Sequence, residues 1–344
     1  MTKVTIKDVA RESGVSTYTV SRALRGLDHV SEATRAHVIA TAHKLNYTIS
    51  RSASDLATGS THRIAVLMRE KISGWFAGEL LDGLYDVLEA EGYNLLIYRA
   101  GDLQERSSVF STLPSDHNAD ALIVTGFSPS QHEQEMLKRL GIPIVAVNSS
   151  DIDSADCSLA IDDIQGETMA IRYLASLGHR RFCYLGRLDP LPTWGRELRL
   201  EAYQQAMKEL NLHDCGIFQA DPNLQGSVAT AIASMLASPV VPTAICAWAD
   251  SHALAALSEL RRNGLRLPDN ISLIGFDGST VARNLGLTTM SQPARDMGRK
   301  AARAALDLLN GEPPTERKLV IPAQLTPGTT TGPAPTSKSI SYAN

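Results

Sequence analysis

From residue 63 onward the chain alternates short β-rich apolar runs with segments of helical period, and few architectures can absorb that pattern. "RIAVLM" (63–68) precedes a helix over 76–91, "NLLIY" one over 104–113, "ALIVT" one over 131–140, and "IPIVAV" follows. After a gap come a helix over 165–177, "RFCYL", a helix over 197–210, "GIFQA", a helix over 224–237, "TAICAW", a helix over 250–263 and "ISLIGF". A helix over 294–310 then precedes "KLVIP". This βαβ order implies parallel sheets covered on both faces. Ten or so strands are many for one small sheet, so the body is expected as two doubly wound α/β subdomains.

The first sixty residues follow a different pattern. Three short helices fit there, over 6–13, 17–25 and 32–45. Thr5 with Asp8 makes a capping box, Gly14 a turn, and Ser16 and Ser31 caps. Ile6, Val9 and Ala10, then Val20, Ala23 and Leu24, then Val38, Ile39, Ala42 and Leu45 are the expected inward faces. Helix, glycine turn, helix and a supporting third helix form a helix-turn-helix head. Its second helix opens with Thr17, Tyr18 and Thr19, mediocre helix formers whose hydroxyls can meet base edges in a major groove roughly 12 Å wide. Arg22 can fork onto guanine, and Ser16 and helix N-termini can hold phosphate. Thr5, Ser21 and His29 complete the candidate DNA face, and Lys3, Lys7 and Arg51 add non-specific attraction. Residues 48–62 are small and polar with one large apolar residue, Leu56, and read as a linker.

The formal charge of −4 hides an asymmetry. Residues 1–60 carry eight Lys/Arg and five Asp/Glu, a balance of +3, which leaves −7 for the remainder. A basic head on an acidic body suggests an anionic partner for the head alone. The N-terminus has no apolar core of a signal peptide, and no apolar run approaches the roughly 20 residues of a membrane helix. A cytoplasmic protein with no membrane partner is the expectation. Cys157, Cys183, Cys215 and Cys246 lack metal-ligand or redox spacing and are expected as reduced, mostly buried thiols. Asp151, Asp153 and Asp156 read as a solvated loop, not a calcium site. No metal or cofactor is expected.

The head resembles the lactose/galactose repressor (LacI/GalR) family of bacterial transcription regulators in "TIKDVARESGVSTYTVSRAL" and "VSEATRAHVIATAHKLNY". The resemblance continues through "LGHRRFCYLG", "RLEAYQQAM", "PTAICAWAD", "LRLPDNISLIGFDG" and "LTTMSQP". It implies a homodimer that reads a pseudo-palindromic double-stranded operator, with Thr17, Tyr18 and Arg22 as base readers. It also implies a hinge helix that orders on DNA and wedges Leu56 into the minor groove. A helix of about eight residues is too short to be stable alone, so pairing on DNA has to support it. Ile49, where the family often has proline, and Asp55, where it often has a polar or basic residue, depart from that pattern.

For the body, the resemblance implies a periplasmic-binding-protein-like pair of subdomains joined by three crossovers. The expected boundaries are 1–47 for the head, 48–62 for the linker and 63–330 for the effector and dimerisation region. Within it, 63–161 plus 293–321 form one subdomain and 162–290 plus 322–330 the other; 331–344 is expected as a disordered tail. Strand carboxyl ends facing a shared cleft are the usual ligand site. Asn148, Asp250 and Asp277 follow strands, Trp75 and Phe76 open the first body helix, and Arg99, Asp102 and Thr125 stand at strand exits. The resemblance makes Arg199 of "RLEAY" an effector contact, with Trp194 in the loop before it. Several have structural alternatives: Arg199 with Asp277 as an ion pair, Asp250 as a helix cap, Trp75 and Phe76 as core. Asp162 is expected as a cap and His179 as structural.

A carboxylate, an amide, an arginine and an aromatic platform suit a sugar. "QADPN" lacks the aromatic that many sugar-responsive relatives carry there, and Arg69 with Arg99 leaves room for a phosphorylated or acidic sugar. The reading is therefore a ligand-controlled repressor with a carbohydrate effector. A transport-type sugar-binding protein would share the body but not the basic head. An α/β enzyme would need a catalytic constellation, and no GxSxG elbow, P-loop, strand–GxGxxG–helix or HExxH is present.

Overall fold

The computed structural model describes residues 4–47, 60–116, 118–126, 128–149, 152–188, 195–221, 223–314 and 316–336. Leu56, Ile49, Asp55 and Trp194 lie outside them. The chain divides into two compact units, Met1–His62 and Arg63–Asn344.

The first unit holds α1 (Ile6–Ser13), α2 (Thr17–Leu24) and α3 (Glu32–Lys44). Each start is chemically specified. Thr5 N–H donates to Asp8 at 3.0 Å, and the Ser16 and Ser31 hydroxyls accept from the N–H groups of Thr19 and Thr34. Gly14 ends α1 at φ 69°, a left-handed turn that glycine adopts without a Cβ clash. Val9, Ala10, Val20, Ala23, Val38 and Ala42 form the core. Ile39, expected among them, is instead exposed. Val38, Ala42 and Leu45 fill the inward stripe, and one residue of helical rotation, about 100°, carries Ile39 off it.

The second unit is built on two six-stranded sheets. The first contains β1 (Arg63–Met68), β2 (Asn94–Arg99), β3 (Ala121–Thr125), β4 (Ile144–Val147), β5 (Cys157–Asp162) and β11 (Lys318–Pro322), in the order β11-β5-β4-β3-β1-β2. The second contains β6 (Arg181–Arg187), β7 (His213–Ala220), β8 (Ala244–Ala247), β9 (Ser272–Asp277), β10 (Thr288–Ser291) and β12 (Gln324–Thr326), in the order β12-β10-β9-β8-β6-β7. All pairings are parallel except β10 with β12. The helices are α4 (Trp75–Leu88), α5 (Leu103–Asp116), α6 (Gln131–Arg139), α7 (Asp163–Ser176), α8 (Arg196–Glu209), α9 (Ser227–Leu236), α10 (Asp250–Arg262), α11 (Thr280–Asn284) and α12 (Ala294–Leu309).

The chain passes between the sheets three times: after β5, after β10 and between β11 and β12. β1, β3 and β4 are buried almost along their full length, which is why they appear in the sequence as unbroken apolar runs. α12 packs against α4 through two glycines. A Cβ on Gly83 would lie 2.0 Å from the Arg295 carbonyl oxygen, and one on Gly298 2.2 Å from that of Leu80. This close approach anchors the returning helix to the first sheet.

The segment from 331 does not begin as a free tail. Thr331 is buried with its hydroxyl 3.0 Å from Tyr173, the Gly332 carbonyl meets the His179 ring at 3.0 Å, and Ala334 N–H donates to the Leu177 carbonyl. Its low apolar content concealed this, because the segment is held by hydrogen bonds. His179 is structural, bonded also to Thr243 and Ser272. Asp162 caps α7, accepting from Gln165 N–H at 2.9 Å. Cys157, Cys183 and Cys246 are buried thiols, and Cys215 is partly buried. Among the described residues no helix is long and apolar enough to cross a membrane, and no acidic, His or Cys cluster could hold a metal ion.

Candidate functional site

The head presents the opening of α2 outward. Val20 and Ala23 are buried, while Ser16, Thr17 and Tyr18 are exposed, Tyr18 at 68%. An aromatic that exposed has apolar surface to give to a partner. Arg22, a turn further on, donates through Nε to the Asp28 carbonyl at 2.9 Å and through Nη1 to the Tyr18 hydroxyl at 3.2 Å. The loop carbonyl and the tyrosine thus hold the guanidinium beside the exposed turn. Ser21 is half-buried, and His29 is exposed at a left-handed φ of 65°. The Thr5 hydroxyl donates to Asp8 at 2.7 Å, within the capping box that opens α1.

In the body, the carboxyl ends of β1, β4, β6, β8 and β9 surround a cavity of about 380 Å³. Of the expected contacts, Trp75, Phe76, Asn148, Arg199 and Asp277 line it. Trp75 and Phe76 open α4, and Phe76 also packs against the core. Asn148 stands at φ 47° just after β4, its Oδ1 accepting from Ile161 N–H at 3.0 Å.

Arg199 forms the floor. Nε donates to Asp163 at 2.6 Å and Nη1 to the Trp248 carbonyl at 2.7 Å. The guanidinium lies 3.5 Å from the Phe276 ring centre and 4.4 Å from that of Trp248. A planar cation clamped this way loses little entropy on binding and offers its remaining N–H groups in fixed directions. Asp277 ends β9 in a strained left-handed backbone at φ 139° and accepts from the Gln292 side chain at 2.7 Å. Burial, and then Asp250 beside it, hold the Asp277 carboxyl well above its ordinary range, although Arg199 and Gln292 pull it down.

Three expected contacts fall elsewhere. Asp250 opens α10 with Ala249 as the cap residue, and it is fully buried. It accepts from Ser279 N–H at 2.7 Å and the Thr289 hydroxyl at 2.6 Å, tying the β9 exit to β10. Thr125 is buried at the end of β3. Arg99 lines a separate surface depression with Asp102, 3.5 Å from Glu105. Of the arginine pair that left room for an acidic sugar, neither Arg99 nor Arg69 is among the lining residues, where Lys71 and Arg187 stand instead. The ion pair that Arg199 makes is with Asp163, not with Asp277 as the structural alternative had it.

The cavity also contains residues that sequence reasoning missed. Glu70 stands two residues after β1, Arg187 ends β6 and Trp248 directly follows β8, so strand exits would have pointed to them. Asp163 and Gln292 arrive through α7 and the crossover before α12. Burial holds the Glu70 carboxyl above its ordinary value, opposed by Arg187, Arg69 and Arg199. His252, bonded to the Ala220 carbonyl, is pushed down to about 4 by burial and is neutral.

A helix-turn-helix head in one chain with a two-sheet body and a polar cleft defines a DNA-binding transcriptional regulator with an effector domain, not an enzyme. Residues 5–50 match the family described as bacterial regulatory proteins, lacI family, and residues 171–331 match a periplasmic binding protein-like domain. The transcriptional repressor PurR of Vibrio vulnificus (strain CMCP6) is 30% identical over 308 residues, covering 88% of this chain and 91% of that protein. The chain therefore belongs to the LacI family. A structure of the lac repressor dimer bound to operator and the anti-inducer ONPF superimposes with a TM-score of 0.84 at 23% identity, covering 96% of this chain and 100% of that one. A complex of the transcriptional regulator CelR with cellobiose gives 0.69 at 26% identity, covering 95% and 100%.

Proposed function

We propose that the protein is a homodimeric repressor whose heads read a pseudo-palindromic operator and whose cleft takes a carbohydrate effector. The observation that carries the effector reading is the clamped Arg199 beside Asp277 and Asn148, with Trp75, Phe76 and Trp248 as apolar walls. Sugar hydroxyls need fixed donors and acceptors, and sugar C–H faces need aromatic surface. A cavity of about 380 Å³ suits a ligand of one or two sugar rings. The aromatic missing from "QADPN" is compensated by Trp248, and the CelR–cellobiose complex supports the sugar class by likeness. Arg99 lies outside the cavity, but Lys71, Arg187 and Arg199 line it, so the reading takes in a sugar phosphate or acidic sugar as well as a neutral one.

In the head, Thr17 and Tyr18 read bases with Arg22, and Ser16 and Ser21 hold the backbone. His29 flanks this face. Residues 48–62 link head and body, and Leu56 is the proposed minor-groove wedge. Effector binding alters cleft closure and with it the geometry that two heads present to DNA. A ligand that distinguishes the two states by a few kcal/mol is enough. Such a repressor works in the cytoplasm, where its operator lies.

The test is a gel shift with duplexes from upstream of neighbouring genes, at modest salt, with a panel of neutral sugars, sugar phosphates and nucleosides. Retardation that a sugar or a sugar phosphate changes is the expected result. No preference over scrambled DNA, with or without any of these compounds, overturns the reading. Control by nucleosides alone would assign the three aromatic walls to a flat base instead.

A further inference from the structure

Behind the cavity floor, α7 carries two acidic side chains one turn apart. Asp163 pairs with Arg199. Glu167, four residues on, therefore lies on the same face, is 2% exposed and has no part in the effector contacts described above. Four carboxylates, Glu70, Asp163, Glu167 and Asp277, interact electrostatically with the single Arg199 guanidinium. The oxygen Oε1 of Glu167 meets no donor among the described residues. An ionised carboxylate with an unmet oxygen in a dry interior is costly, whereas a neutral carboxyl is much less so.

We propose that Glu167 is a positioning residue that carries a proton in the effector-free protein, acts through Arg199, and so links effector affinity to pH. This rests on the cavity being the effector site. The groups that face Glu167 are Asp163 on its own helix, Arg199 on α8, Tyr184 on β6 and Cys246 on β8. Asp277, at the end of β9, and Glu70, just beyond β1, act on the same guanidinium. β10 and β12, which also pack against α7, carry no titratable side chain, and Lys318 of β11 is exposed. Burial pushes the Glu167 carboxyl up to about 8, Arg199 draws it down and Asp163 raises it.

While Glu167 is neutral, Arg199 has Asp163 as its direct counter-ion, and its positive field extends into the cavity. Ionisation sets a second negative charge behind the guanidinium and weakens that field. An effector oxygen accepting from Arg199 then binds less well as pH rises through about 8.

Full-length, effector-free protein labelled with ¹³C in glutamate carboxyls and ¹⁵N in arginine tests this by NMR. One carboxyl resonance, absent from Glu167→Gln, titrates near pH 8. The Arg199 Nε–H resonance, identified by its loss in Arg199→Lys, moves with the same midpoint. In Glu167→Gln it stays fixed between pH 6.5 and 9. A Glu167 carboxyl that titrates below pH 5, or an Arg199 resonance that moves equally in Glu167→Gln, overturns the proposal. If Glu167→Gln does not fold, Glu167→Asp supplies the assignment, since it removes the same labelled glutamate resonance while keeping a carboxyl. Because no effector is added, failure here is distinguishable from an error about what the cavity binds.

Discussion

Gln292 is bonded twice to Asp277: its side-chain amide donates to Oδ1 at 2.7 Å, and its backbone N–H donates to the carbonyl at 3.0 Å. Asp277 ends a strand of the second sheet, and Gln292 begins the crossover into α12, which packs on the first. A cavity carboxylate is thereby fixed to the segment that joins the two subdomains. Gln292 lines the cavity, and its buried Oε1 has no donor among the described residues. Gln292→Ala is expected to weaken effector binding by about 1–3 kcal/mol, roughly fivefold to a hundredfold, as a buried acceptor loses its orienting partner. Operator affinity without effector stays unchanged. Calorimetry with the sugar, alongside a gel shift, checks both.

The exposed turn of α2 separates sequence reading from simple attraction. Tyr18→Ala is expected to relax operator preference, because its ring and hydroxyl stand outward beside Arg22. Lys3→Ala is expected to weaken binding evenly across sequences and lower the salt slope by about one. Anisotropy titrations on operator and scrambled duplexes at two salt concentrations measure both. Equal losses on every sequence for Tyr18→Ala would contradict its role.

Gly298→Ala is expected to destabilise the body by about 1–3 kcal/mol, since the added methyl meets the Leu80 carbonyl and α12 has to move. Thermal unfolding should show a lower Tm. An unchanged Tm would mean that the α4–α12 contact is looser than its geometry.

The buried imidazole of His252 sets an acid dependence. Its folded value of about 4 lies below the ordinary 6.5, so the unfolded chain takes up the proton first. Stability from this group is complete above pH 6.5 and is lost as pH falls toward 4. The loss by pH 4.5 is on the order of 2 kcal/mol. His252→Gln, compared with wild type at each pH by chemical denaturation, should narrow the stability gap as pH falls.

The alternation of apolar runs and helical segments marked most of the body's strands because parallel strands buried on both faces read as continuous apolar stretches. β5 escaped because Cys157–Asp162 alternates buried and half-buried residues and follows an acidic loop. β10 and β12 are only four and three residues long, too short for a period to show. In the cavity, Arg199 and Asp277 were legible, but Asp250 was misplaced. It follows a strand like the others, yet its carboxyl turns back to Ser279 and Thr289. Glu167 and Gln292 gave no local signal, since each gains its role from neighbours brought in by distant segments.

On this mechanism, a small molecule in the cleft governs what the heads do on DNA. Fluorescence anisotropy of a labelled upstream duplex, titrated with full-length protein at modest salt, with and without the sugar that stabilises it, measures that coupling. The expected result is a preference over scrambled duplex of at least tenfold and a shift in operator affinity on adding the sugar, with the shift abolished in Arg199→Lys. Identical affinity for operator and scrambled duplex, or an operator affinity that no cavity ligand changes, would contradict it.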